Sequence, residues 1–489
     1  YQAPVLQVEI PAGLAATLAT LNGPAFRLEQ PALESQQPWR VNINLEDQLL
    51  VADGGYLNTT VPVLRLVTEE EGAPEGLSGF ELNIERFNGS YDFSADEDAT
   101  SERSRQQRLS AGFSANLEKM YTTVIPYNLW SWRWQQQLEW APSGNLKLDS
   151  VATLDGRQVL TLGITQNFNN REGRATVNTA NLNFDPGNLS LSDVLSPLPA
   201  ETDLIAGELN VEANFQWQMP EDVSSFALEA WQLHGDILTE ATGVAGFYED
   251  IAFAGLNTVA RWQLAPDLTL NHREPSYLSL GELDPGITLQ NLHTRYHYNI
   301  NARQLALQDS ELQVFGGTVR TEPFVLNFAE RTDRDAVDSV FNVHIEGLDI
   351  SQVLSLAAYQ QVSASGLIDG TLPVTLKGLT PIVNGGNFNA RAPGGSIRYD
   401  SGAGMSGNQS LDLVYQALRH YQYESMLATV DYSEEGELLL GMQLQGLSPL
   451  LNNGQRINLN LNISDDVPAL LQSLQAAENV SERLEDLLN

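Results

Sequence analysis

The side chains best suited to chemistry in this 489-residue chain are six histidines and 62 carboxylates. His293 and His297 stand four apart, a spacing that would bring two imidazoles to one metal ion on a helix. Their setting, Leu292-His293-Thr294-Arg295-Tyr296-His297-Tyr298, reads as a strand. Four residues of strand span about 13 Å, too far for a shared ion. His234, His272, His344 and His420 have no partners at ligand spacing. Cysteine is absent, which removes disulfides, thiolate nucleophiles and zinc–thiolate sites. No serine lies in a nucleophile-elbow pattern. Gly385-Gly386 and Gly394-Gly395 fall between strands, where a phosphate loop does not form. Nothing singles out a carboxylate pair for glycoside hydrolysis, and Asp465-Asp466 reads as a helix cap. The expectation is a protein without catalytic residues, bound metal or cofactor.

The elements that would have to position such groups are strands, and they carry the stronger signal. Ile457-Asn458-Leu459-Asn460-Leu461-Asn462-Ile463 alternates apolar and polar without a break. Successive strand side chains point to opposite faces, so one face is aliphatic and the other all asparagine. Leu209–Met219 repeats the pattern, with Leu209, Val211, Ala213, Phe215, Trp217 and Met219 on one side. Trp130, Trp132, Trp134, Leu138 and Trp140 share one parity and read either as core under a sheet or as a ligand-facing lining. The net charge of −36 argues against nucleic acid and against anionic lipid headgroups as general partners, and it favours solubility.

Taken in order, the first 200 residues read as strands around a charged stretch, 95–108, expected to be a mobile loop. Asp155-Gly156 marks a hairpin turn, and a helical turn is expected near Leu191–Leu195. From 201 to 463 strand follows strand: Ala227–Leu238, Ile251–Leu264 and Gly286–Leu307 among them. Asp284-Pro285-Gly286 is a turn and Phe315-Gly316-Gly317-Thr318 a bend. Short helices are expected at 349–361 and at Ser410–His420. Residues 464–489 read as an amphipathic helix capped by Ser464 or Asp465, with Leu470, Leu471, Leu474 and Leu484 on its apolar stripe. Helices are too few for a parallel α/β fold. No apolar run approaches the length of a membrane-spanning helix. The chain opens on Tyr1, and an upstream segment is expected.

From about Glu311 onward the sequence resembles the YdbH-type branch of the AsmA-like proteins, bridge-like proteins of Gram-negative envelopes. The resemblance is carried by the Gly316-Gly317 spacing, by Ala364-Ser365-Gly366-Leu367-Ile368-Asp369-Gly370 and by Asn384-Gly385-Gly386-Asn387-Phe388. Gly395-Ser396-Ile397-Arg398-Tyr399, Tyr421-Gln422-Tyr423, Val430-Asp431-Tyr432 and Val467-Pro468-Ala469-Leu470 complete it. It implies a long curled antiparallel β-sheet forming an open apolar groove in the periplasm, held to the inner membrane by an upstream N-terminal anchor. It also implies phospholipid moving along the groove toward the outer membrane. A small outer-membrane lipoprotein would pair with the C-terminal end.

The expected lining comes from four stretches: Leu209, Val211, Phe215 and Trp217; Leu372, Val374 and Leu376; Leu440, Met442 and Leu444; Ile457, Leu459, Leu461 and Ile463. The alternative reading gives the same residues to the dry core of a closed β-sandwich or β-helix that binds a ligand such as a glycan. A hydrolase is the third reading, without a residue to support it. Lining and core separate on one question: what covers the apolar faces.

Overall fold

The structure is a computed structural model. It describes residues 5–11, 15–17, 20–22, 26–29, 32–35, 38–44, 49–66, 76–92, 109–117, 132–141, 144–179, 182–185, 189–194, 201–221, 228–329, 336–356, 361–399, 415–451 and 454–467. The expected loop at 95–108, Trp130, the first part of the Ser410–His420 helix and the apolar stripe of the C-terminal helix lie outside them. The protein is mostly β, and every strand pairing described is antiparallel. Among the described residues no helix is long and apolar enough to cross a membrane.

The chain forms two compact units, Tyr1–Val244 with Arg261–Arg273, and Ala245–Ala260 with Glu274–Asn489. In the first unit, six short strands precede the long β7 (Leu49–Leu66): β1 (Val5–Ile10), β2 (Ala15–Thr17), β3 (Thr20–Asn22), β4 (Phe26–Glu29), β5 (Ala32–Ser35) and β6 (Trp39–Asn44). β4, β5 and β6 pair with successive parts of β7. A meander follows through β8 (Gly76–Asp92), β9 (Leu109–Leu117), β10 (Trp132–Ala141), β11 (Asn145–Leu154), β12 (Arg157–Asn167) and β13 (Glu172–Asn178). β14 (Leu182–Phe184) continues the line of β13, and both pair with β15 (Thr202–Gln218). β11 and β12 turn at Asp155-Gly156, both at positive φ (50° and 79°), the two-residue hairpin expected of that dipeptide. A helical turn, α1 (Leu191–Val194), stands where one was expected.

β16 (His234–Tyr248) and β17 (Ile251–Leu264) contribute to both units. β18 (Leu270–His272) pairs with the end of β17 in the first unit. In the second, β19 (Ser276–Asp284) pairs with β17 and with β20 (Leu289–Asn299), which pairs with β21 (Gln304–Val314). β22 (Gly317–Thr321) and β23 (Phe324–Asn327) share β21 as partner, and β22 also pairs with β24 (Ser339–Asp349). After α2 (Ile350–Leu356) come β25 (Val362–Ser365), β26 (Leu367–Lys377), β27 (Thr380–Ala390), β28 (Gly395–Tyr399), β29 (Tyr421–Tyr432), β30 (Glu437–Leu447) and β31 (Arg456–Asp466). The pairing runs β24–β26–β27–β29–β30–β31, with β25 and β28 extending the lines of β26 and β27. Among the described residues β31 pairs only with β30, so this sheet ends on an open edge.

Three boundaries differ from expectation. Gly286–Leu307, expected as one strand, is the hairpin β20–β21, because Asn299 accepts a hydrogen bond from the Ala302 N–H (3.0 Å) and Arg303 takes a positive φ. The start of Ala227–Leu238 is a 3-10 turn at Leu228–Trp231. β31 runs to Asp466, past the expected end at Ile463, with Ser464 and Asp465 paired to Leu439 and Leu438.

Bulges interrupt the second sheet. β20 and β21 carry Asn291 and Asp309 at positive φ, β24 carries Gly347 and β27 carries Gly385. Each glycine bulge is tied by an aspartate of the next strand. Gly347 donates its N–H to Asp369 (2.8 Å), and Gly385 donates to Asp431 (2.7 Å). An extra residue bends its strand and raises local twist, so these positions set the curvature of the face that the side chains line.

Candidate functional site

Strand register gathers the apolar side chains into rows. In the second unit one row crosses seven strands: Val319, Ile345, Gly370, Phe388, Ala428, Met442 and Leu461 stand opposite one another in sequence. Gly370 leaves room for the Phe388 ring, which a Cβ there would meet at 2.2 Å. The neighbouring row includes Val430, Leu440 and Ile463, and a third includes Met426, Leu444 and Leu459. On the reverse face Asn387, Thr429 and Asn462 lie in one line with Gly441, and Leu427 and Leu439 stand exposed on the same side.

Burial grades across these rows. Leu444 (1% exposed) and Leu459 belong to a cluster with Ile345, Leu348, Ile368, Leu418, Tyr421, Tyr423 and Met426, against which Ile350 and Val353 of α2 pack. Ile457, Leu461 and Met442 are half-buried on its margin. Leu440 is half-buried and Ile463 is 44% exposed. Val374 and Leu376 are buried in a second cluster with Phe341 and Val383, and Leu372 touches both clusters. Thus the apolar side chains near α2 and around Val374 and Val430 are covered by protein, whereas along the last two strands cover falls from Leu444 and Leu459 through Met442 and Leu461 to Leu440 and Ile463.

In the first unit, register places Trp217 opposite Gly173, Phe215 opposite Ala175 and Ala213 opposite Val177. Leu209 packs against a cluster of Ala152, Leu154, Val159, Leu182, Phe184, Leu189 and Val194. Val211, Phe215 and Trp217 are half-buried. The Trp217 ring fills the space left by Gly173, where a Cβ would lie 2.0 Å from it, and its Nε1–H donates to Gln166 Oε1 at 2.7 Å. Trp132, Trp134, Leu138 and Trp140 occupy positions of the same parity on β10, opposite Leu117, Ala115, Ala111 and Leu109 of β9. Each unit therefore carries its own apolar face. The four expected residues of the first unit share one face, and the ten of the second share another. Sequence reading passed over Val319, Ile345, Phe388 and Ala428, which complete the central row; Gly370 and the bulges break the alternation that would have marked them.

The opposite faces hold the charge. Arg320 bonds Glu311 (2.7 Å) and Glu346 (3.0 Å), which hold its guanidinium above its ordinary pKa. Arg391 bonds Asp369 (2.7 Å), whose carboxyl is held below its usual range chiefly by that bond. Lys377 bonds Glu434 (2.7 Å). His293 and His297 face Ser279 and Ala306 of different neighbouring strands, and no group of three or more metal-ligating side chains comes together among the described residues.

The geometry is that of strands whose apolar rows lie on one face and whose ion pairs lie on the other. Comparison with known proteins agrees. A family model described as YdbH-like, intermembrane phospholipid transport protein YdbH, matches residues 5–488, extending to nearly the whole chain a resemblance that the sequence carries most visibly after Glu311. No curated protein and no solved structure matches the chain. With strand pattern, two-faced sheets and a match of this length in accord, the chain belongs to the YdbH-like family of intermembrane phospholipid transport proteins.

Proposed function

We propose that the apolar face of each unit is a track for phospholipid acyl chains, and that the protein passes lipid between inner and outer membranes with no chemical step. The observation that carries this reading is the graded burial of the second sheet. In its central row Ile345 and Ala428 are buried, yet Val319, Phe388, Met442 and Leu461 stay half-buried, and in the neighbouring row Ile463 is exposed. The described strands of this unit join edge to edge in one sheet. A palmitoyl chain of about 16 carbons exposed to water costs on the order of 12 kcal/mol, at about 0.8 kcal/mol per CH₂. A continuous apolar lining offsets that cost at every point, so lipid moves without crossing a deep trap. The headgroup stays in water at the open side, where the chain's acidity gives it no cationic well to fall into.

The proposal places the protein in the periplasm, tied to the inner membrane by a segment upstream of Tyr1. The β31 edge, with one side unpaired among the described residues, would accept a strand from a small outer-membrane lipoprotein. Ile463→Asp tests the track. Ile463 is already 44% exposed, so the charge should leave the fold intact while lipid transfer falls at least about tenfold. Leu444→Asp, at a site 1% exposed, should unfold the protein. Normal transfer by folded Ile463→Asp would remove that stretch from the track. Loss of folding in both variants would favour a closed core.

A further inference from the structure

Part of the second unit's apolar face is not apolar. Five hydroxyls from four strands gather on it. Thr258 of β17 and Tyr296 of β20 bond each other at 3.1 Å, and Thr294 of β20 bonds Ser310 of β21 at 2.7 Å. Thr321 of β22 stands opposite Ser310 on one side and Val343 on the other. These residues share the face of Leu278, Val319 and Val343, all half-buried. Four of the five hydroxyls are satisfied: Thr258 also donates to Tyr277 O (2.9 Å), and Thr294 to Gln308 O (3.1 Å). Thr321 is the exception. Its Oγ1 is covered and has no hydrogen-bond partner. Valine has the same shape and would leave no polar atom unpaired, so a hydroxyl here is unfavourable in a surface that only excludes water. Thr321 as a whole is half-buried, and its hydroxyl has other staggered χ1 wells open to it.

We propose that the hydroxyl band at Thr258, Tyr296, Thr294, Ser310 and Thr321 is a station for the ester carbonyls of a diacyl glycerolipid, with Thr321 as the free donor. An ester carbonyl is a pure acceptor placed where the tails meet the headgroup. It matches an unpaired O–H set at the start of an aliphatic row: Val343 stands beside Thr321, then Leu372 on the next strand. The station fixes which part of the lipid rests at these strands while the tails lie on hydrocarbon. The inference rests on the acyl-track reading and adds to it a preference for ester-linked lipid.

The test loads the whole chain from detergent with an equimolar mixture of a diester phosphatidylethanolamine and its diether analogue of the same tails and headgroup. Native mass spectrometry then reads the bound ratio. One added hydrogen bond predicts about fivefold enrichment of the diester. Thr321→Val should bring the ratio to one, Thr321→Ser should keep it, and Thr429→Val on the opposite face should leave it unchanged. Equal binding of the two lipids to the wild-type chain, or a preference that survives Thr321→Val, overturns the station and leaves the track standing. Binding of neither lipid overturns the track itself. If Thr321→Val does not fold, the wild-type ratio still decides.

Discussion

At the scale of single residues, two tyrosines hold the C-terminal end of the second sheet. Tyr421 is fully buried and donates its hydroxyl to the Ile457 carbonyl at 2.6 Å, fastening β29 to the strand two places away. Tyr423 donates to Ser365 O at 2.7 Å. Burial pushes the Tyr421 hydroxyl up to about 12, against an ordinary value near 10. The unfolded chain therefore loses this proton first, and stability present below pH ~10 is lost as pH rises toward the folded value. Tyr421→Phe should lower stability by about 1 kcal/mol at neutral pH and flatten the alkaline loss between about pH 10 and 12. Urea midpoints measured across that range check both. The sequence offers Tyr421-Gln422-Tyr423 as part of a resemblance but not its purpose, because a hydroxyl's partner 36 residues away leaves no local pattern.

At the scale of elements, alternation was the readable signal, and it reads well where strands are regular. β15 and β31 show their faces in the bare sequence, and Asp155-Gly156 shows its turn. Alternation fails where a bulge adds a residue, since a one-residue slip exchanges the two faces. That is why the band around Thr294 and Ser310, beside the bulges at Asn291 and Asp309, looked like ordinary polar strand. β20 and β21 merged into one expected strand for another reason: the turn between them, Ile300-Asn301-Ala302-Arg303, holds neither glycine nor proline. The bulge of β29 between Tyr423 and Ser425 has a matching demand on its partner. Gly446 of β30 lies so close that a Cβ would stand 2.0 Å from the Gln422 carbonyl oxygen. Because the obstacle is backbone, it cannot swing aside. Gly446→Ala should cost about 2–4 kcal/mol, read as a lowered denaturation midpoint, with slower-forming protection of β29–β30 amides in hydrogen exchange.

At the scale of the molecule, what matters is the division of labour between faces. A net charge of −36 favours solubility, while in the second unit half-buried and exposed apolar residues such as Leu461 and Ile463 stand beside buried ones such as Leu444. Fold class was legible because long strands with few helices leave little else. The grading from the covered Leu444 to the open Ile463 was not, since both read simply as aliphatic members of an alternating strand. The claim on which all of this depends is that these rows meet hydrocarbon. Native mass spectrometry of the protein purified in mild detergent is the most direct test. Diacyl phospholipid should copurify, with several molecules per chain, and Ile463→Asp should carry fewer. A chain that is lipid-free as purified, and that takes up none from phosphatidylethanolamine-containing vesicles, would contradict the account.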